Sequence, residues 1–113
     1  MPFKINRLQE DILRELTDIL RTLKDPRVQG LISIVKVDLT SDESVCTVYV
    51  SSLSGGDAAK RAVKGLESAA GYIRREIGRR IQMRRSPEFR FVADDSIAYS
   101  AHIAETLGRL KGD

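Results

Sequence analysis

Apolar residues recur every three or four positions through the start of the chain: Ile5, Leu8, Ile12, Leu16, Ile19 and Leu23, with Leu13 and Leu20 widening the stripe. That period places them on one side of an α-helix. The predicted helix stops at Asp25-Pro26, because proline disfavours helical geometry in the residue before it. The pattern then changes. Gly30 opens a segment from Leu31 to Leu39 rich in β-branched Ile32, Ile34, Val35 and Val37. After a polar Ser41-Asp42-Glu43 turn, Val45 to Ser52 alternates Cys46, Val48 and Val50 with Val45, Thr47 and Tyr49. Two such runs with so short a connection predict an antiparallel hairpin.

Gly55-Gly56 interrupts the chain, and Asp57 is the expected N-cap of a second helix whose apolar positions are Ala59, Ala62, Val63, Leu66 and Ala69 or Ala70. The same phase continues through Ile73, Ile77 and Ile81. One straight helix over 58–84 would run roughly 40 Å at about 1.5 Å per residue, whereas a chain of this size has a radius of gyration of about 13 Å. The element therefore has to bend. Two helices are expected to meet at Ala69-Ala70-Gly71, with Gly71 as the residue that opposes bending least. Ser86-Pro87 is expected to end the third helix. Phe89, Phe91 and Ala93 then alternate with Arg90 and Val92 as a third strand. Asp94-Asp95-Ser96 should cap a last helix bearing Ile97, Ala101, Ala104 and Leu107. The predicted fold class is α+β, a three-stranded sheet in the order α-β-β-α-kink-α-β with a C-terminal helix. It forms a single domain over residues 1–113, with the residues after about 108 free to be flexible.

Charge changes this picture more than composition does. The chain has 113 residues, 42% of them hydrophobic, and a formal charge of +3. Residues 57–90 hold ten basic side chains against four acidic ones, so one contiguous third carries more than the whole excess. The ten are Lys60, Arg61, Lys64, Arg74, Arg75, Arg79, Arg80, Arg84, Arg85 and Arg90. Such a concentrated field attracts polyanions, and nucleic acid is the commonest of these in a cytosol. Arg75 and Arg79 are four residues apart, as are Arg80 and Arg84, so each pair lies along one helix face. A guanidinium fork matches phosphate geometry and stays charged at any relevant pH. Arg80 and Arg84 fall near the isoleucine stripe; Arg74, Arg75 and Arg79 stand clearer of it. The competing readings are a solvated face paired to Glu67 and Glu76, and a module whose basic surface meets an acidic protein.

Other chemistry is poorly provided for. One cysteine, Cys46, excludes an internal disulfide framework and fits a reducing compartment. Cys46 and His102, alone of their kinds, cannot build a structural zinc site. Asp94 and Asp95 read as helix caps, Gly55-Gly56 as a loop with no phosphate-binding pattern after it. No nucleophile, base and orienting group converge. The expectation is a non-enzyme with no metal, cofactor or small-molecule substrate. No run of eighteen apolar residues occurs, and Met1-Pro2-Phe3-Lys4 lacks the apolar centre of a signal peptide, so a cytoplasmic protein without a membrane partner is expected.

Three local motifs on this topology carry a resemblance. Asp25-Pro26-Arg27-Val28 follows the first helix, Ala69-Ala70-Gly71 stands at the bend, and Pro87-Glu88-Phe89-Arg90-Phe91 precedes Asp94, Asp95 and Ser96. Together they resemble the bacterial ribosome-binding factor A family over essentially the whole chain. Ala69-Ala70-Gly71 looks like that family's Ala-x-Gly interhelical kink, which replaces the Gly-x-x-Gly loop of ordinary KH domains. Phe89 stands where the family more often has leucine. The resemblance implies a type II KH-like fold and a monomer that binds the free small (30S) ribosomal subunit. It also implies assistance in late maturation and processing of 16S rRNA, contact with the rRNA's 5′-terminal helix region, and importance for growth in the cold.

Overall fold

The computed structural model describes residues 2–29, 32–83 and 85–94, with side chains from Ile5 onward. Helix α1 spans Pro2–Thr22. Its predicted stripe is the buried one: Ile12, Leu16 and Ile19 are all at or below 2% exposure. The stop is built from the Asp-Pro-Arg-Val motif. Asp25 caps a single 3-10 turn, Pro26–Val28, by accepting from the Arg27 backbone N–H at 2.9 Å. Proline fits the first position, where a donor would have no partner. Val28 drops into the core as a result.

Strands β1 (Ile32–Leu39) and β2 (Val45–Ser52) form the predicted antiparallel hairpin. Its turn is held by Asp42, whose Oδ1 accepts from the Thr40 hydroxyl at 2.8 Å, the Ser44 hydroxyl at 2.7 Å and the Ser44 N–H at 3.1 Å. These bonds, Ser44's first, hold the Asp42 carboxyl down at about 2. A feature not anticipated from sequence is a bulge between Ile34 and Lys36. Ile34 pairs with Val50 and Lys36 with Tyr49, so the inward parity switches from Ile32 and Ile34 to Val37 and Leu39. The extra residue, Val35, lets one strand bury apolar side chains on both sides of a phase change.

Helices α2 (Gly56–Ser68) and α3 (Ala70–Arg80) lead to β3 (Glu88–Ala93), which pairs parallel to β2 with Cys46 opposite Phe89 and Val48 opposite Phe91. A parallel pair needs a long crossover, and the two helices supply it. The sheet order is β1-β2-β3. One core joins Ile12, Leu16 and Ile19 of α1, Ala62 and Leu66 of α2, Ile73 and Ile77 of α3, and the inward residues of all three strands. Cys46 is fully buried there, as expected of a small hydrophobe; burial, then the neighbouring Asp38 charge, pushes its thiol up to about 12. Arg90 and Val92 point to the other, exposed side of the sheet.

Three expectations need correction. Asp57 does not cap α2: the N-cap is Gly55, with no side-chain bond, and Asp57 sits within the first turn. Gly55 has φ 111°, a conformation that glycine alone adopts without strain, so backbone geometry overrode the capping preference. The helices do meet within Ala69-Ala70-Gly71, but the break falls at Ala69 (φ −96°, ψ 8°) and not at Gly71, which is an ordinary residue inside α3. Ala69 still donates to Gly65 O at 3.2 Å and Leu66 O at 3.0 Å, and its own carbonyl accepts from Ile73 at 2.9 Å. A one-residue break that keeps its hydrogen bonds needs no glycine. Finally, α3 ends at Arg80, well before Ser86-Pro87. Ile81 turns extended and is buried at 8% exposure, so its apolar side chain reaches the core better by leaving the helix than by continuing it. The predicted C-terminal helix, with its Asp95 and Ser96 caps, lies outside the described residues.

Candidate nucleic-acid interface

Helix α3 presents three different sides. Ile73 and Ile77 face the core. A second side turns toward α1, and Arg80 stands there with only 20% of its side chain exposed. Its Nη1 reaches Asp18 at 2.6 Å and Glu15 at 3.3 Å on α1, and its Nη2 reaches Glu76 at 3.3 Å on its own helix. The Asp18 contact, the largest cause, raises the Arg80 pKa further above its ordinary value. An arginine enclosed by three carboxylates clamps two helices together. It has little field left to offer a phosphate.

The third side is cationic and open. Arg75 is exposed, and its Nη1 would stand 3.7 Å from a Cβ at Gly71, so the guanidinium folds back over the α2–α3 junction. Arg79, one turn on, is 70% exposed but bonded to Glu76 at 2.7 Å. That bond, ahead of the one from Arg80, holds the Glu76 carboxyl below its usual range. On α2, Lys60, Arg61 and Lys64 are exposed, and Lys64 is one turn on from both of the others. Among the described residues no carboxylate pairs with Lys60, Arg61, Lys64, Arg74, Arg75 or Arg85.

The remaining predicted site residues are dispersed. Arg74 points to the described segment 85–87 ahead of β3, where its Nε donates to Ser86 O at 3.2 Å while the Ser86 hydroxyl donates to Arg74 O at 2.9 Å. Arg85 is exposed in that same segment. Arg90 lies on the exposed face of β3, 3.5 Å from Glu88, with the sheet between it and the helical arginines. Arg84 lies outside the described residues. Of the pairing acids expected for a solvated face, Glu76 does pair with arginines, whereas Glu67 shows no ion pair.

Two residues at the junction escaped the sequence reading. Arg27, on the 3-10 turn, forms a fork with Asp25 (Nη2 to Oδ2, 2.6 Å) and reaches the Ser68 hydroxyl at 3.3 Å. The pairing lowers Asp25 and raises Arg27 from their ordinary values, chiefly through that side-chain hydrogen bond. The turn packs against α2 at Gly65, where a Cβ would meet Arg27 Cβ and Asp25 Oδ2 at 3.3 Å. Tyr72 is the second; its hydroxyl lies 3.2 Å from Thr22 Oγ1. The Tyr72, Arg75, Arg79 spacing of three and four was available in the sequence as a signal.

Among the described residues no three His, Cys, Asp or Glu side chains gather to hold a metal ion. A groove of about 380 Å³ between α1 and β1 is lined by Thr17, Leu20, Arg21, Val28, Gln29, Ile32, Ser33 and Ile34, with Arg21 its one charged group and so no acid–base pair.

Comparisons with known proteins bear on this arrangement. Residues 4–107 match the family model described as Ribosome-binding factor A. The chain is 46% identical to the ribosome-binding factor A of Acetivibrio thermocellus over 105 residues, which is 92% of this chain and 85% of that one. It superposes on the crystal structure of ribosome-binding factor A from Thermus thermophilus with a TM-score of 0.70 at 29% identity, covering 79% of this chain and 93% of the other. It also resembles the coordinates of the Thermus thermophilus factor fitted into the cryo-EM map of its complex with the 30S subunit, with a TM-score of 0.64 at 30% identity, covering 76% of this chain and 90% of the other.

Proposed function

The chain belongs to the ribosome-binding factor A family, and on that premise we propose that it binds the free 30S subunit through the open side of its α2–α3 helix pair. It is a non-catalytic assembly factor in late maturation and processing of 16S rRNA. The contact surface consists of Lys60, Arg61, Lys64 and Arg75, with Arg79 adding what Glu76 leaves of its charge, and Arg74 and Arg85 flanking. Arg80 acts as an interhelix clamp. The observation that carries the assignment is the set of exposed cations on α2 and α3 that have no carboxylate partner among the described residues, on a chain whose relative was fitted into a 30S complex. Such groups neutralise phosphates and release counterions. They position the protein on folded RNA without reading bases. The rRNA's 5′-terminal helix region is the expected contact. The protein acts as a monomeric single domain in the cytoplasm beside its ribosomes; no helix among the described residues is long and apolar enough to cross a membrane.

The test is cosedimentation with purified 30S subunits over a salt series, comparing the wild type with Lys64→Glu/Arg75→Glu. Arg79 is left in place, since reversing it would oppose Glu76. The double variant should lose at least roughly tenfold in affinity, and the slope of log K against log salt should fall by about two, one per phosphate contact. A natively folded variant with unchanged affinity and unchanged slope would remove this surface from the interface.

A further inference from the structure

We propose that Tyr72 is a stacking platform for one unpaired base of the RNA that the basic helices engage, with Arg75 and Arg79 on the neighbouring phosphates. The proposal rests on the 30S-binding reading above and names the one contact in it that is not a phosphate contact.

Tyr72 is 37% exposed and is the one aromatic ring among the described residues left open to this degree. Phe89 and Phe91 are buried in the core, and Tyr49 is half-buried beneath the Lys36 ammonium at 5.6 Å. Tyr72 stands three residues before Arg75 and seven before Arg79, a spacing that puts ring and cations on one helical stripe. Arg75 curls back over Gly71, immediately beside the ring's own position in the chain. Glu76 borders the same stripe, but Arg79 and Arg80 both hold its carboxylate, at 2.7 and 3.3 Å, which offsets its repulsion of a phosphate.

The ring is also held in place. The Thr22 hydroxyl donates to Ile19 O at 2.7 Å, so in the Tyr72–Thr22 contact at 3.2 Å the phenol is the donor. Tethered at its far end to α1, the ring has its orientation set before any ligand arrives, and less rotamer freedom is lost on binding. A tether alone would account for the hydroxyl. It does not account for a partly exposed ring three residues from the unpaired Arg75 guanidinium. RNA supplies the complement, since its loops and bulges offer splayed bases, and stacking accepts any of them because every base has a π-face.

The experiment measures 30S affinity and its salt dependence for Tyr72→Ala, Tyr72→Leu, Tyr72→Phe and Thr22→Val, each checked for native melting by circular dichroism. Tyr72→Ala and Tyr72→Leu should each lose about tenfold in affinity, which is about 1.4 kcal/mol and within the range for one stacked base. The slope of log K against log salt should stay at the wild-type value, because no phosphate contact is lost. Tyr72→Phe and Thr22→Val, which keep the ring, should bind within about twofold of wild type. Should Tyr72→Ala fail to fold, Tyr72→Leu, which keeps apolar bulk, decides. Wild-type affinity in a folded ring-less variant overturns the proposal, and so does a Tyr72→Phe loss as large as that of Tyr72→Ala, which would make the tether the operative feature. If Lys64→Glu/Arg75→Glu weakens binding while Tyr72→Leu does not, the stack alone fails. If that double variant binds normally, the basic-surface reading fails with it.

Discussion

Arg75 and Arg80 lie on the same short helix, yet they do opposite things. Arg75 faces outward over the α2–α3 junction with no carboxylate paired to it among the described residues, whereas Arg80 turns toward α1 and is enclosed by Asp18, Glu15 and Glu76. In sequence both are arginines in a basic run. In the fold, one is available to a polyanion and the other is consumed by the protein itself. A count of basic residues therefore overstates an electrostatic footprint: an arginine contributes to a surface only the charge that packed carboxylates leave to it.

Substitutions on each side of α3 should separate these roles, beginning with the side that faces the core. Ile77→Ala, at a position with no exposure, should destabilise the fold by about 2–5 kcal/mol, seen as a large fall in the urea midpoint. A drop under about 1 kcal/mol would mean that α3 is not held by this stripe. On the clamp side, Arg80→Ala should lower the melting temperature by several degrees at pH 7 and leave the salt slope of 30S binding unchanged. The pH dependence carries a sign. The Glu76 carboxyl is held below its ordinary 4.5 by Arg79 first and by Arg80 in smaller part. Stability linked to a depressed carboxyl is in place above the unfolded value and is lost as pH falls through the folded one. The gap in melting temperature between wild type and Arg80→Ala should thus narrow below about pH 4. A reduced salt slope in Arg80→Ala would show that Arg80 reaches phosphate after all. The smallest effect is expected at the junction: Gly71→Ala should be neutral or stabilising by up to about 1 kcal/mol, with native 30S binding, since the new methyl meets Arg75 at an ordinary 3.7 Å. Clear destabilisation would restore Gly71 as the hinge.

Element types and the core are legible in the chain because hydrophobic period is a local signal. The centre of the α1 stripe at Ile12, Leu16 and Ile19, the alternate residues Cys46, Val48 and Val50 of β2 and the Phe89, Phe91 pair are all buried as their spacing requires. The bulge at Val35 is legible but easily passed over: the inward phase shifts from even to odd positions between Ile34 and Val37. The break at Ala69 lies close to where the length of the element requires a bend, yet glycine content does not say which residue takes it. A break that retains its hydrogen bonds suits alanine equally well. The end of α3 comes earlier than the periodicity predicts, since Ile81 keeps the helical phase in sequence while leaving the helix in space.

By itself, then, the sequence determined the order of elements, the buried stripes, the concentration of positive charge in one third of the chain and the family likeness. Only the tertiary structure decided which of those charges remain available. Two of the three acids that occupy Arg80 come from α1, more than sixty positions away, and the sheet separates Arg90 from the helical arginines. A periodic pattern reports what one helix or strand does with its own faces. Which charges meet depends on how distant elements are packed together, and a Coulomb interaction is set by that distance in space.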